Sequence, residues 1–267
     1  MILTLDIGNT NIVMGCFDKD RLLFHERFET NQQSASLEYA VILRETFSLY
    51  DINASHVEGG IISSVVPSIT DTIKTAVERF TGSKFLVVGP GIKTGLKMEV
   101  DNPAQQGSDL VVGAVAGIHY YPVPQILVDM GTATTVSVIN RNKAFIGKMI
   151  LPGVVISLEA LASRTAQLPR VSIDPPKHLI GRNTVDSIKS GILYGNAGAL
   201  DGLIDRIEQE LGEPCTIVAT GGLASVITPL CRHQIHLDED LLLKGLLLLY
   251  KKNHIDDRPN RQSHNPT

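Results

Sequence analysis

The chain has 267 residues, 43% of them hydrophobic and 19% charged, which is enough apolar content for a buried core and a length that fits two domains of roughly 100–150 residues. Its formal net charge is -4 and its 24 Lys and Arg residues are scattered, which argues against nucleic acid or an acidic membrane surface as partner. Cys16, Cys215 and Cys231 are odd in number and form no Cys-x-x-Cys pair, so neither a disulfide framework nor a zinc site is indicated, and a reducing cytoplasm fits best.

The chain starts directly on an apolar strand, Met1 to Ile7, which argues against a signal peptide. That strand delivers Asp6 into a turn of Gly8, Asn9, Thr10 and Asn11. Gly8 leaves the backbone open to a ligand, and the next three residues offer hydroxyl, amide and main-chain donors to anionic oxygens. An ionised Asp6 cannot donate, so beside a phosphate it makes sense as a partner for hydrated Mg2+. An ordinary hairpin turn explains the same residues about equally well. Strands are expected at 12–17 and 22–28, a helix at 36–50 with Ser36 as candidate N-cap, a buried strand at 60–66, a helix from Pro67 to Phe80 and a strand at 85–88. After a glycine-rich loop, Asp109 falls in the first turn of an apolar helix from Leu110 to about Tyr121. There it is either a cap, worth roughly 1 kcal/mol, or a reactive carboxylate. His119 on this helix lacks a second ligand at metal spacing and reads as structural.

Ile126 to Val136 repeats the opening pattern of apolar strand, Asp, one residue, Gly and threonine-rich turn, with Asp129 and Gly131 standing where Asp6 and Gly8 stood. Two copies half a chain apart suggest duplication, with both turns facing one cleft. Further strands are expected at 134–139 and 144–150, then a helix opened by Pro152-Gly153 and running to about Gln167. The proline-bearing loop 168–183 is the longest connection and therefore a functional candidate. The helix from Thr184 to Leu211 carries Gly191, Gly195, Gly198 and Gly202 on one stripe. Each costs roughly 1 kcal/mol against alanine, so the stripe calls for a close contact with the protein's own sheet, a neighbouring helix or a second subunit. Thr216 to Gly222 is a strand ending in Gly221-Gly222, where an adenine or ribose could lie against the main chain or a helix could simply begin. Leu241 to Lys252 is expected as a buried helix, because its apolar run falls well short of the ~20 residues needed to span a bilayer. The polar segment beyond it is expected to be disordered.

The order β-β-β-α-β-α-β in each half resembles the superfamily of sugar and acetate kinases, actin and heat-shock chaperones. The chain lacks a Walker-type phosphate loop and a Gly-x-Gly-x-x-Gly after a strand, which disfavours the commoner nucleotide folds. The expected class is α/β, two duplicated ribonuclease H-like or actin-like domains at 1–117 and 118–253 with a cleft between them, and a tail at 254–267.

Asp6-Ile-Gly-Asn-Thr10, Gly107-Ser-Asp109, Asp129-Met-Gly-Thr-Ala-Thr-Thr135, Leu151-Pro-Gly153, Gly181-Arg-Asn-Thr184 and Ala219-Thr-Gly-Gly222, in this order, are similar to the motifs of type III pantothenate kinases. The resemblance implies a cytoplasmic homodimer that phosphorylates pantothenate with ATP, the first step of coenzyme A synthesis, using Mg2+ and a monovalent cation, K+ or NH4+. It implies that Asp6 (Mg2+ through water), Gly8, Asn9, Thr10 and Asn11 hold phosphates and metal. Gly131, Thr132, Ala133 and Thr134 would face those phosphates, Asp129 would place the monovalent cation, and Gly221 and Gly222 would receive adenosine. Asp109 would be the general base. The acceptor pocket would comprise Val100, Gly107, Ser108, Asp109 and Leu110, with Thr184 reaching in from the dimer partner. Leu110 stands where the family has an arginine, Val100 where many relatives have a tyrosine, and Lys148 where a second glycine is usual. Lys148 could supply the missing charge. These departures leave open a nucleotide-binding accessory protein or a kinase for another small alcohol.

Overall fold

The computed structural model describes residues 1–165 and 167–256. The first part of the chain forms β1 (Ile2–Ile7), β2 (Asn11–Asp18), β3 (Arg21–Glu29), α1 (Ser36–Leu49), β4 (Gly59–Ser64), α2 (Pro67–Thr81), β5 (Phe85–Val87), β6 (Lys97–Met98) and α3 (Ser108–Tyr120). The remainder forms β7 (Gln125–Met130), β8 (Ala133–Ile139), β9 (Ala144–Pro152), α4 (Val154–Arg164), α5 (Thr184–Leu211), β10 (Thr216–Thr220), α6 (Ala224–Ile227), β11 (His236–Leu237) and α7 (Leu241–Asp256). Two compact units result. Unit 1 joins Met1–Gly95 to Gly107–Val115 and to the chain from Leu243 onward; unit 2 joins Leu96–Gln106 to Ala116–Leu242.

The sheet of unit 1 has the order β3-β2-β1-β4-β5, its first three strands antiparallel and β4 and β5 parallel to β1. Strand β1 is buried on both faces because Leu3, Leu5 and Ile7 pack with Tyr39, Leu43 and Phe47 of α1 and with Ile69, Ile73 and Val77 of α2. On the other face Leu243 and Leu247 of α7 pack on Phe17. Helix α2 shows how local chemistry sets its ends. Pro67 occupies the first turn, where its missing N–H costs nothing, and Gly82, at φ 74°, closes the helix with its N–H on the Glu78 carbonyl.

The sheet of unit 2 repeats the plan as β9-β8-β7-β10-β11, with β6 added beside β9. Strands β7, β8 and β9 are antiparallel neighbours, and β10 and β11 run parallel to β7. Ile126, Val128, Met130, Val136 and Val138 pack against Leu193, Ala197, Leu200 and Ile204 of α5. The expected duplication is therefore present strand for strand.

Several element ends differ from the sequence expectation for local reasons. Ala35, rather than Ser36, is the N-cap of α1, and Glu38 reaches back to accept its N–H at 3.4 Å. Helix α4 stops at Arg164, with Thr165 in an extended conformation. Helix α7 continues past Lys252 to Asp256, so the disordered tail expected from 254 does not begin there, and the rest of that expected tail, 257–267, lies outside the described residues. The two-residue strand β6 exists only through its pairing with Ala144 and Phe145.

Asp201 of α5 staples the following loop to unit 2. Its carboxylate is 3% exposed and accepts the Arg232 N–H at 2.9 Å, the His233 N–H at 3.2 Å and the Arg232 Nε–H at 3.3 Å. Burial pushes its pKa up, but the two backbone donors and the Arg232 guanidinium outweigh that and hold it below the usual aspartate value. Because the folded pKa is depressed, the stabilisation is present above the unfolded pKa and is lost as pH falls through the folded one. Asp201→Ala is expected to lower unfolding free energy by about 2–3 kcal/mol near neutral pH, read as a drop in the urea midpoint, with a smaller difference from wild type in acid.

Candidate active site

In unit 1 the β1–β2 turn is built by its own backbone and one outside residue. The Gly8 N–H donates to the Asn11 carbonyl at 3.0 Å, which folds the turn back on itself. Thr30, just past β3, donates its hydroxyl to the Gly8 carbonyl at 2.7 Å and its N–H to the Thr10 carbonyl at 2.9 Å. Asn9 and Thr10 are left exposed at the tip, while Asp6 and Asn11 are half-buried at its base.

Asp6 pairs in register with Ser63 of β4, and β4 carries the link to the second carboxylate. The Ser108 hydroxyl lies 3.0 Å from the Ser63 hydroxyl, accepts the Ser64 N–H at 3.1 Å and donates to the Ser64 carbonyl at 3.0 Å. These bonds fix the first turn of α3 to the strand beside Asp6. Ser108 is thereby a positioning residue whose hydroxyl is already engaged. Asp109 follows it in the first turn, where the helix dipole favours its charge, and accepts the Leu110 N–H at 2.8 Å. A side chain at Gly107 would overlap Asp109 Oδ1, so this glycine clears the carboxylate's place.

In unit 2 the β7–β8 turn is tightened by the Gly131 N–H on the Ala133 carbonyl at 3.1 Å. Gly131 and Thr132 are exposed, Ala133 and Asp129 half-buried, and Thr134 is 3% exposed. Two further glycines press on this turn. A Cβ at Gly153, the N-cap of α4, would overlap the Thr132 carbonyl oxygen and lie 2.8 Å from that of Gly131. Gly221 has φ 94°, and a Cβ there would lie 2.7 Å from both Asp129 Oδ1 and the Met130 N. The absence of a side chain at Gly221 is therefore required by the turn itself, before any base is considered. Gly222 beside it is exposed.

Thr184 lies elsewhere in unit 2, at the first position of α5, where Asn183 caps the helix by accepting the Asp186 N–H at 2.9 Å. It lines an open cavity of about 640 Å³ together with Leu161, Leu168, Arg182, Ser187 and Ile192. Loop 168–183 is tied to α5 by the Lys189–Asp174 ion pair at 2.7 Å and by the Ser190 hydroxyl on the Leu179 carbonyl. The glycine stripe does not pack on the protein's own sheet: Gly191, Gly195 and Gly198 are exposed and a Cβ on any of them would meet nothing within 4 Å. Val100 and Leu110 are half-buried. Sequence reading missed Thr30, Ser63 and Ser64, which hold the two carboxylate-bearing segments through long-range hydrogen bonds. The only signal for the serines was a pair of hydroxyls closing an apolar strand.

Among the described residues no helix is long and apolar enough to cross a membrane, and no three His, Cys, Asp or Glu gather as a metal cage. His119 instead stacks edge-on with Tyr120 at 4.7 Å between ring centroids.

This duplicated actin-like α/β architecture is shared with solved structures at low sequence identity. The activator of 2-hydroxyisocaproyl-CoA dehydratase from Clostridium difficile, solved with bound ADPNP, gives a TM-score of 0.59 at 12% identity, covering 100% of this chain and 99% of that one. Component A of (R)-2-hydroxyglutaryl-CoA dehydratase from Acidaminococcus fermentans gives 0.53 at 15%, covering 95% and 98%. These define a fold class. Sequence narrows it: residues 2–206 match the family model for type III pantothenate kinase. A type III pantothenate kinase of Bacillus cytotoxicus is 43% identical over 255 residues, covering 96% of this chain and 97% of that protein. The chain belongs to the type III pantothenate kinase family.

Proposed function

We infer that this chain transfers the γ-phosphoryl group of ATP to the primary hydroxyl of pantothenate, giving 4′-phosphopantothenate and ADP at the entry to coenzyme A synthesis. Beyond family membership, the observation that carries this reading is Asp109, held in the first turn of α3 by the Ser108 latch and cleared by Gly107. Asp109 accepts the hydroxyl proton as that oxygen bonds to the γ-phosphorus. The bond from the γ-phosphorus to the bridging oxygen breaks, and its electron pair leaves with ADP. Phosphoryl transfer asks a protein mainly for positioning and charge neutralisation, which suits a site of turns and donors. Gly8, Asn9, Thr10 and Asn11 on one turn and Gly131, Thr132, Ala133 and Thr134 on the other serve the phosphates; Gly221 and Gly222 serve the adenosine.

Hydrated Mg2+ is normally held through one or two carboxylates plus substrate phosphates, and Asp6 at the base of an open turn fits that role. Bound with ATP, it would neutralise charge on the β- and γ-phosphates. Asp129, half-buried against the Gly221 backbone, fits a larger K+ or NH4+. Cys16, Cys215 and Cys231 are free thiols, each pushed by burial up to about 11, which suits a reducing cytoplasm.

A homodimer is supported by the bare glycine face of α5 and by the apolar surface of the neighbouring elements, where Ile180 is 82% and Leu179 61% exposed. Thr184 on the same helix would then serve the acceptor of the partner copy. Sedimentation velocity should show a dimer for the wild type and a monomer for Gly195→Leu. Within one copy leucine there meets open space and a better helix propensity, so the variant's fold should persist. A wild-type monomer would overturn the dimer.

The function itself is tested by offering Mg-ATP and K+ with pantothenate, in competition with other small alcohols and sugars. ADP release that depends on pantothenate and is suppressed by no other acceptor supports the reading. Preference for another alcohol, or ATP binding without transfer, would replace it.

A further inference from the structure

In the sheet order β3-β2-β1 of unit 1, β3 and β1 lie two strand spacings apart, roughly 10 Å. Thr30, the residue after β3, nevertheless brings its hydroxyl to 2.7 Å from the carbonyl of Gly8, the residue after β1, while its own N–H reaches the Thr10 carbonyl at 2.9 Å. The β1–β2 turn is therefore bent over the start of β2 toward β3, and one residue holds two of its carbonyls, one on each side of Asn9. The N–H bond continues the β2–β3 pairing, in which Asn11 stands opposite Glu29, and any residue except proline would make it. The hydroxyl bond is the specific one, because it needs a short side chain with a donor.

A trans peptide is planar, with its C=O and N–H pointing in opposite directions. The Gly8 carbonyl and the Asn9 N–H belong to one such unit, so holding that carbonyl on Thr30 aims the Asn9 N–H away from Thr30. Asn9 is exposed at the tip, and among the described residues neither its N–H nor its carboxamide has a hydrogen-bond partner. The Gly8 N–H, by contrast, is spent on the Asn11 carbonyl at 3.0 Å. Gly8 thus offers an anion space, and Asn9 offers it a donor.

We propose that the Thr30 hydroxyl is a positioning group for the nucleotide: it sets the Gly8–Asn9 peptide so that the Asn9 N–H donates to a phosphate oxygen of ATP. Thr30 acts through Asn9 and is not itself a phosphate ligand. An amide already aimed in the free protein needs no ordering when the anion arrives, whereas a peptide free to rotate does. This rests on the kinase reading and concerns only the phosphate turn of unit 1.

The test compares wild type with Thr30→Val, Thr30→Ala and Thr30→Ser, measuring Kd for Mg-ATP by titration and KM for ATP and for pantothenate by steady-state kinetics. Valine keeps the β-branched shape and the main-chain bond to Thr10 and removes the side-chain donor. Kd and KM for ATP should rise roughly 5- to 50-fold in the Val and Ala variants, part of what a whole charge-assisted hydrogen bond contributes. KM for pantothenate should stay within about twofold, and Thr30→Ser, which restores the hydroxyl, should lie within about threefold of wild type throughout. Unchanged ATP constants, equal losses on both substrates, failure of serine to rescue, or a melting temperature that collapses in Thr30→Val would each make Thr30 a residue of the fold alone and overturn the proposal. Wild type that binds Mg-ATP and leaves pantothenate unmodified removes the functional reading, while the Kd comparison still decides the role of Thr30. Wild type that binds no Mg-ATP overturns both.

Discussion

Asp109→Asn is expected to lower pantothenate-dependent kcat by about 10²- to 10⁴-fold, the usual contribution of a positioned general base, while ATP binding and thermal stability stay close to wild type. The substitution is nearly isosteric, and an asparagine oxygen can still accept the Leu110 N–H that Asp109 accepts at 2.8 Å. What it removes is the ability to take the hydroxyl proton. Steady-state kinetics beside ATP titration reads the two effects separately. A variant that keeps more than about a tenth of wild-type kcat would show that Asp109 serves α3 as a first-turn anion and that another group, or none, takes the proton.

The second large effect is expected at a residue with no side chain. Gly153→Ala places a Cβ into the Thr132 carbonyl oxygen and 2.8 Å from that of Gly131. Both are backbone atoms of the β7–β8 turn, so relief requires moving either that turn or the N-terminus of α4. Overpacking of this kind costs roughly 1–3 kcal/mol, and for a chain of this size each kcal/mol lowers Tm by about 2–4 °C. The functional cost should be larger than the stability cost if Thr132 and Ala133 hold phosphates as proposed, because the shift would displace their donors and weaken ATP binding. A rise in KM for ATP of at least about tenfold with the fold retained is expected. Unchanged KM for ATP would detach this turn from the nucleotide.

Much of the architecture was legible because it is written in local chemistry. Apolar runs broken by Asp-x-Gly turns announced β1–β2 and β7–β8, and their repetition announced the duplicated fold. Pro67 marked a helix start. The glycine periodicity on α5 identified a face but could not say what the face meets; only the packing of Leu193, Ala197 and Leu200 on the sheet turns the glycines outward. Gly221 carries a structural demand in addition to the one its sequence suggests. A glycine pair after a strand reads as room for a base, and the geometry adds that Gly221 is also required by the close approach of Asp129 and Met130. The Ser63–Ser108 latch and the Thr30 brace were hidden because hydrogen bonds between residues 45 and 22 positions apart leave no periodic trace. Lys148 was visible as a departure from a motif that usually has a second glycine there. Its place on the face that bears Asp129 follows from its pairing with Ser137 and from alternation with Met149 and Leu151, which pack on the core.

The account stands most directly on one measurement: the products formed when purified protein is mixed with Mg-ATP, K+ and pantothenate, followed by mass spectrometry alongside ADP release. The prediction is one 4′-phosphopantothenate for each ADP, with no ADP when pantothenate is omitted. ADP formed at the same rate without pantothenate, or a folded, ATP-binding protein that leaves pantothenate unmodified, would contradict it.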